Sequence, residues 1–185
     1  HFKHIDRNVK ILEVGSGAGY FIEDLLDLGF KNIYSVDVGD YLIQDIQKKI
    51  TYNISDLSFD LLPFEDGYFD LIVSIQVIEH VENPWHFIRE ISRVLKANSD
   101  LLISFPTSKD IFSRLKFLKE GNVYSFTKKN NHYSFFTQAI QDKLFAGFKV
   151  QKEVYTKSTI TLLRIYLLRK VLRDMLKIKY FPDDF

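Results

Sequence analysis

The chain of 185 residues lacks cysteine altogether, which excludes disulfide bonds and thiolate metal sites. It also lacks any apolar run of about 18 residues, the length that a membrane-spanning helix needs, and its start shows no signal-peptide pattern. The formal net charge of +1 gives no general attraction to nucleic acid, so no nucleic-acid partner is expected. The absence of cysteine suits a reducing compartment, and we expect a cytoplasmic protein.

Apolar strand-like runs alternate with helical patterns along the chain, which predicts an α/β fold with a mostly parallel, doubly wound sheet flanked by helices. The length fits one domain. Because the chain starts at His1 rather than at methionine, we expect a fragment in which a helix ahead of the first strand is missing. The predicted strands are Val9–Val14, Asn32–Asp37, Thr51–Ile54, Tyr68–Ile75, the run DLLISFP that stops at Pro106, and Phe148–Tyr155. The predicted helices are Tyr20–Leu28, Tyr41–Lys49, Pro84–Leu95, Thr137–Phe145 and Thr159–Lys179.

Glycine is scarce, with 8 residues in the chain, yet Gly15, Gly17 and Gly19 all follow the first strand in the segment ILEVGSGAGYF. Glycine costs roughly 1 kcal/mol against alanine in an ordinary helix, so this turn is predicted to present bare backbone to a ligand. Dinucleotide-binding proteins use the spacing G-x-G-x-x-G, but the third glycine position is Tyr20 here. Glu13, near the end of the strand, is unfavourable beside a pyrophosphate and favours a cationic ligand.

Two further acids follow the neighbouring strands. Asp37 closes the second strand, where a carboxylate can accept hydrogen bonds from both hydroxyls of a ribose. Asp56 follows the third strand and is placed to meet an adenine amino group, with Asp60 as a rival. A ribose, an adenine and a positively charged tail describe S-adenosylmethionine better than NAD. A nicotinamide-dependent oxidoreductase stays open as the alternative. The structural interpretations are a helix cap for Asp37 and an ion-paired strand end for Glu13.

Four segments occur in an informative order: ILEVGSGAGYF, YSVDVGD, DLSFDLLPFEDGYFDLIVSIQVIEHVENPWHFIREISRVLK and LLISFPT. They resemble the successive motifs of class I S-adenosylmethionine-dependent methyltransferases, and most of all the group that acts on small molecules, glycans and lipid intermediates. The resemblance runs from about Lys10 to about Lys152. It implies a Rossmann-like fold, S-adenosyl-L-methionine as cofactor, and a small-molecule, glycan or lipid-linked acceptor whose O, N or C atom receives the methyl group.

The resemblance also assigns residues to parts of the cofactor. The glycine turn and the acid before it are expected near the methionine portion, Asp37 at the ribose, and Gln76 beside the sulfonium. Two features depart from the family pattern, because Lys96–Ser99 replaces the usual K-P-G-G and the family's seventh strand is not apparent. The residues expected to bind the cofactor are Glu13, Gly15, Gly17, Gly19, Asp37, Asp56, Leu57 and Gln76.

His80 is the candidate catalytic residue, as a general base on an acceptor hydroxyl, because an unperturbed imidazole titrates near ~6.5. Some relatives hold Mg²⁺ through an E-x-x-E-H pattern at this place, but Gln76 replaces the first acid and is a weaker ligand for a hard cation. We therefore expect no metal. The structural alternative is that His80 only shapes the loop. His132, in NNHYSFFT, is either near the acceptor pocket or a surface-loop histidine.

The chain is expected to consist of a cofactor-binding methyltransferase domain, residues 1–156, and a basic amphipathic helical tail, residues 157–185. The tail carries six basic residues and one acid between 159 and 179. Three interpretations stay open for it: an interfacial helix resting on anionic lipid, a lid over the acceptor pocket, or a helix packed on the sheet or on a second subunit. A non-catalytic module that senses the cofactor or contacts a membrane is the remaining alternative to an enzyme.

Overall fold

Five short strands form the parallel sheet in the described part of the protein. The computed structural model describes residues 6–107, 111–123, 125–126 and 129–154. The strands are β1 Lys10–Val14, β2 Asn32–Asp37, β3 Thr51–Ile54, β4 Phe69–Ile75 and β5 Leu95–Ser104. Their order across the sheet is β3-β2-β1-β4-β5, and every neighbouring pair is parallel. The chain reverses its direction of travel across the sheet between β1 and β4, and such a switch point is where open α/β sheets bind ligands.

The helices connect these strands. They are α1 Tyr20–Asp27, α2 Gln44–Gln47, α3 Pro84–Val94, α4 Ile111–Glu120 and α5 Gln138–Leu144, with a 3₁₀ turn at Ile78–His80. The start of α3 shows why a helix forms there. Pro84 occupies the first turn, where its missing N–H costs nothing, and the side chain of Asn83 accepts a hydrogen bond of 3.0 Å from the His86 N–H.

The core lies between the central strands and α3. Leu12, Val14 and Ile72 are fully buried, as are Ile91 and Val94 on the inner face of α3. Strands of a parallel sheet are covered on both faces and therefore read as continuous apolar runs. The core fixes the positions at which β1 and β4 end, and those ends carry the candidate site.

The chain divides into two units. The unit Asn8–Lys149 contains all the strands and helices given above. The other unit consists of residues 1–7 and 150–185, of which the structure describes only residues 6–7 and 150–154. The predicted helix Thr159–Lys179 and the predicted tail 157–185 therefore lie outside the described residues. Within the described part of the chain, no helix combines the length and apolar character of a membrane span.

Most predicted elements are confirmed, but the predicted helix Tyr41–Lys49 is wrong in its extent. Only Gln44–Gln47 is helical. Ile43, directly before it, has an extended ψ of 127°, and Leu42 is buried with its Cδ1 directed at Gly19. Because Leu42 is buried against the glycine turn, the backbone stays extended until Gln44.

The segment Lys96–Ser99, which replaces the family's K-P-G-G, lies within the fifth strand. β5 begins at Leu95, and the pairing with β4 jumps from Phe69↔Leu95 to Leu71↔Asp100. Asn98 has a φ of 60°, a left-handed conformation that asparagine tolerates better than most residues. The loop that departs from K-P-G-G is thus accommodated as a bulge in the strand.

The predicted strand Phe148–Tyr155 is wrong over the residues that are described, because 148–154 form no strand. Val150 is 64% exposed and Val154 46% exposed. Alternating apolar residues make a strand only where a partner completes the ladder, and none of the described strands pairs with this segment. Helix α4, by contrast, was not predicted, although the spacing of Lys116 and Glu120, which form an ion pair of 2.7 Å, was a signal for it.

Gly15 and Gly29 provide a matched test of this packing. Both have positive φ, 77° and 82°, but a Cβ on Gly15 would lie 2.3 Å from Val77 Cγ2, whereas a Cβ on Gly29 meets nothing within 4 Å. We expect Gly29→Ala to lower the free energy of unfolding by about 1 kcal/mol through backbone strain. Gly15→Ala should cost about 1–3 kcal/mol more through overpacking. Urea unfolding measures both, and equal losses would contradict the close contact.

Candidate active site

The glycine turn after β1 uses its own amides internally. The Gly15 N–H donates to the Val36 carbonyl at 2.8 Å, and the Gly19 N–H donates to the Ser16 carbonyl at 2.9 Å. The Gly17 N–H donates to Oδ2 of Asp37 at 2.8 Å. A pyrophosphate site needs such amides directed at the ligand. These three N–H groups are therefore not directed at an anion.

The close approach is visible on both sides of the turn. An added Cβ on Gly15 would overlap Val77, which follows β4, and one on Gly19 would lie 2.4 Å from Leu42 Cδ1. A Cβ on Gly17 would meet nothing within 4 Å, so this middle glycine borders open space. The turn is thereby fixed at its two ends and open at its centre, as a ligand site requires. We call the turn Gly15–Gly19 the cradle.

Two buried carboxylates lie beside the cradle. Glu13 is 3% exposed and Asp37 6% exposed, at the ends of the neighbouring strands β1 and β2. Asp37 accepts hydrogen bonds from the N–H groups of Gly17 and Val38 at 2.8 and 2.7 Å. Within the described part of the chain, Oε2 of Glu13 has no hydrogen-bond partner. Burial, and next the negative charge of Asp37, hold the pKa of Glu13 well above its usual range.

The end of β3 presents an exposed acid and a buried leucine. The Asp56 side chain is exposed, and its Oδ1 accepts a hydrogen bond from the Ser58 N–H at 2.9 Å. Leu57 is 6% exposed. Asp60, the rival acid, accepts the Asp56 N–H at 2.8 Å through its carboxylate. Because Asp60 holds the loop together, Asp56 is the better candidate to meet a ligand.

Gln76 directly follows β4 and has a φ of 56°. This left-handed conformation is uncommon for glutamine and costs about 1–3 kcal/mol. Its backbone N–H donates to the Ser104 carbonyl at 3.0 Å, and its Nε2 donates to the Ser104 hydroxyl at 3.3 Å. Two hydrogen bonds to the end of β5 thus fix this residue at the edge where β1 also ends.

The 3₁₀ turn that follows Gln76 carries Glu79 and His80 and is held by a distant loop. The Tyr133 N–H donates to the Glu79 carbonyl at 2.8 Å. His80 Nδ1 lies 3.2 Å from the Asn131 carbonyl, and since a carbonyl only accepts, Nδ1 is assigned the hydrogen in this contact. Nε2 of the neutral ring is then the unprotonated nitrogen.

His132 is the residue that sequence analysis underrated. It is half-buried, and its ring lies edge-on to that of His80 with the ring centroids 4.6 Å apart. One ligand atom from each of Glu79, His80 and His132 lies within 4.8 Å of the others. No local motif announces this contact, because it depends on how the loop around residue 131 returns to the 3₁₀ turn.

All the predicted site residues belong to one edge of the sheet or to the segments that directly follow it. Glu13, Asp37 and Gln76 are at the ends of β1, β2 and β4. Asp56 and Leu57 follow β3, and His80 follows β4 by one short turn. This edge, at the carboxyl ends of the strands, is where open α/β sheets bind ligands. The individual roles of these residues stay predictions.

Comparison with known proteins gives the family. Residues 12–103 match the family described as Methyltransferase domain. A mitochondrial ubiquinone biosynthesis O-methyltransferase of Dictyostelium discoideum is 29% identical over 111 residues, covering 52% of this chain and 35% of that protein. A ubiquinone biosynthesis O-methyltransferase of Rickettsia canadensis is 24% identical over 188 residues, covering 100% of this chain and 74% of that protein.

Solved structures agree on the fold. An S-adenosylmethionine-dependent methyltransferase from Mesorhizobium loti superposes with a TM-score of 0.59 at 16% identity, covering 89% of this chain and 86% of that one. The chain belongs to the class I S-adenosylmethionine-dependent methyltransferases. The chain spans 35% of the length of the curated relatives it matches first.

S-adenosylmethionine is the cofactor of this family, and the residues present fit it. The internally bonded glycine amides and the Glu13 carboxylate disfavour a pyrophosphate, whereas a buried acid with an unsatisfied oxygen suits a cationic ligand. The alternative of a nicotinamide-dependent oxidoreductase is therefore wrong, and the family match overturns it.

The raised pKa of Glu13 predicts a pH-dependent stability. The folded protein keeps a proton on Glu13 at pH values where the unfolded chain, with a pKa near the ordinary 4.5, has lost it. The folded state then binds more protons, so the free energy of unfolding falls as pH rises above about 4.5. We expect Glu13→Gln to remove this part of the slope in cofactor-free protein. Urea unfolding from about pH 5 to about pH 8 measures it.

The exposed Glu23 offers a control, because Glu23→Gln should leave the wild-type pH profile in place. A profile for Glu13→Gln that runs parallel to the wild type over the whole range would contradict the account of the buried acid.

Proposed function

We propose that this protein transfers the methyl group of S-adenosylmethionine to an oxygen nucleophile of a small-molecule, glycan or lipid-linked acceptor. The observation that carries the proposal is the pair of buried carboxylates, Glu13 and Asp37, beside a glycine turn with internally bonded amides. This combination favours a ligand that joins positive charge to hydroxyl groups.

On the cofactor side, each residue has a proposed task that its place supports. Asp37 accepts hydrogen bonds from the ribose, since its carboxylate is already aligned by two backbone N–H groups. Glu13 binds the charged methionine portion, and Asp56 meets the adenine beside the buried Leu57. Gln76 holds the wall near the sulfonium through its bonds to Ser104.

The bound cofactor supplies an electrophilic methyl group on a positively charged sulfur. The protein must then hold the acceptor in line, exclude water and remove a proton from the attacking hydroxyl. Positioning of this kind can contribute roughly 7–11 kcal/mol, whereas a general base adds about 10²–10⁴-fold. Positioning therefore outweighs any single residue in the proposed mechanism.

His80 is the proposed acceptor-side base, and its geometry supports that role. The Asn131 carbonyl fixes the hydrogen on Nδ1 and leaves Nε2 able to accept a proton. The backbone N–H of His80 also donates to the Val77 carbonyl at 2.8 Å. Val77 is the residue that packs on Gly15. The base candidate and the cradle are thus connected through one intervening residue. Two relatives are named as O-methyltransferases of ubiquinone biosynthesis, which supports oxygen as the proposed acceptor atom. Two relatives from Rauvolfia serpentina are named as N-methyltransferases, and the assay therefore includes amines.

The test of the proposal is a methyl-transfer assay with a radiolabelled methyl donor and matched panels of phenols, catechols, sugars and amines. We expect label in one hydroxyl-bearing class, and we expect His80→Ala to slow turnover by about 10²–10⁴-fold while cofactor affinity stays unchanged. Label found only in amines would overturn the choice of oxygen. A loss of cofactor binding in His80→Ala would show that His80 belongs to the cofactor side.

Asp37→Ala is expected to weaken S-adenosylmethionine binding by more than about tenfold, because each hydrogen bond to a charged group contributes about 1.5–3 kcal/mol. Asp45→Ala is the matched control, since the Asp45 side chain is 85% exposed and pairs with Lys48 at the surface. Isothermal calorimetry gives both affinities. Equal affinities of the two variants would remove the ribose assignment.

A further inference from the structure

We infer that His86 and Ser58 are positioning residues for recognition of the purine ring of the cofactor. Both fasten the segment 55–60, which directly follows β3 and which we call the β3 loop. This loop carries Asp56 and Leu57, the two residues that are proposed to meet the adenine. The inference therefore rests on the proposed function, and it adds the residues that hold the adenine-binding part of the site in place.

The β3 loop is folded around Asp56. The Ser58 N–H donates to Oδ1 of Asp56 at 2.9 Å, which fixes the direction of the exposed carboxylate. The Asp60 carboxylate accepts the Asp56 N–H at 2.8 Å, and the Asp60 N–H donates to the Asp56 carbonyl at 2.8 Å. The orientation of the Asp56 carboxylate therefore depends on where Ser58 and Asp60 are held.

Packing of apolar side chains holds only part of this loop. Leu57 is 6% exposed, but Phe59 is 59% exposed and Leu61, directly after the loop, is 70% exposed. A segment with few buried apolar contacts opens at a low free-energy cost. The end of the β3 loop therefore depends on hydrogen bonds for its position.

The start of α3 and the residues before it supply those hydrogen bonds. His86 Nε2 lies 2.9 Å from the Asp60 carbonyl, and since a carbonyl only accepts, Nε2 is assigned the hydrogen in this contact. The Glu82 N–H donates to Oγ of Ser58 at 3.0 Å. The His86 N–H is itself bonded to the Asn83 side chain that caps α3. The β3 loop is thus fastened at two points to a helix whose own start is fixed.

Recognition of adenine depends on the direction of the carboxylate in this loop. The exocyclic amino group of adenine donates hydrogen bonds, whereas hypoxanthine has an oxygen at the same place and only accepts there. Because a hydrogen bond weakens steeply with a poor angle, a displaced Asp56 loses its preference for adenine. Asp37 and Glu13 belong to β2 and β1, so the proposed contacts to the ribose and the charged tail do not depend on this fastening.

The direct experiment is isothermal calorimetry with S-adenosylhomocysteine, the form of the cofactor after methyl transfer, and with S-inosylhomocysteine, in which an oxygen replaces the exocyclic amino group. We expect the wild-type protein to prefer the adenosyl ligand by more than about tenfold. His86→Leu removes the donor to Asp60 and should reduce this preference by about three- to tenfold, the change that one typical hydrogen bond produces.

Three further variants show whether the effect comes from the hydrogen bonds. His86→Gln retains an N–H donor of similar reach and should keep the wild-type preference, which a merely structural role would not explain. Arg89→Leu is the matched control, because Arg89 is an exposed residue of the same helix. Ser58→Ala removes the acceptor of the Glu82 N–H. It should reduce the preference as His86→Leu does, and it provides the same test if His86→Leu fails to fold.

A wild-type preference in both His86→Leu and Ser58→Ala would overturn the inference. Equal losses of affinity for the two ligands would also overturn it, because they would show a role in stability alone. A wild-type protein that binds both ligands equally would remove the adenine assignment of Asp56 and the inference together. Methyl transfer is measured separately with the radiolabelled donor, so a failure of the proposed function is distinguishable from each of these results.

Discussion

The site depends on one constraint, the meeting of two buried carboxylates with a glycine turn at the point where the sheet reverses its order. Glu13 is the next-to-last residue of β1 and Asp37 the last of β2, and both have almost no exposed surface. Charges in such positions are costly unless a ligand or hydrogen bonds compensate them. Asp37 is compensated by two backbone N–H groups. Glu13 retains an oxygen with no hydrogen-bond partner among the described residues, and this is why we propose a ligand with a positive charge.

The same turn is in contact with a residue that precedes the proposed acceptor-side base. Gly15 leaves no room between itself and Val77, and Val77 accepts the backbone hydrogen bond of His80. A residue larger than glycine after β1 would therefore displace the turn that carries the acceptor-side histidine. In the proposed mechanism, the sheet fixes the positions of the site residues, and the loops that follow β4 and precede α5 carry the proposed acceptor-side residues. Functional residues on loops held by a rigid sheet are usual in this fold class.

The sequence allowed the fold and the place of the glycine turn to be predicted because both rest on local patterns. The bounds of β2 and β3, the proline start of α3 and the glycine turn all depend on residues next to each other in the chain. The acceptor side depends on tertiary contacts instead. His132 meets His80 only because Tyr133 and Asn131 bond to a turn some fifty residues earlier. The shortened α2 and the missing strand over 148–154 have the same origin, since packing against Gly19 and the lack of a ladder partner overrode periodicity.

A crystal structure of the protein grown with S-adenosylmethionine would show whether this cradle receives an adenosyl ligand with a positive charge on its tail. We expect the ribose hydroxyls on the Asp37 carboxylate, the charged tail beside Glu13, and the glycine turn unmoved. A ligand bound elsewhere, or a cradle filled by the side chains of Leu42 and Val77, would show that the cradle is not the cofactor site.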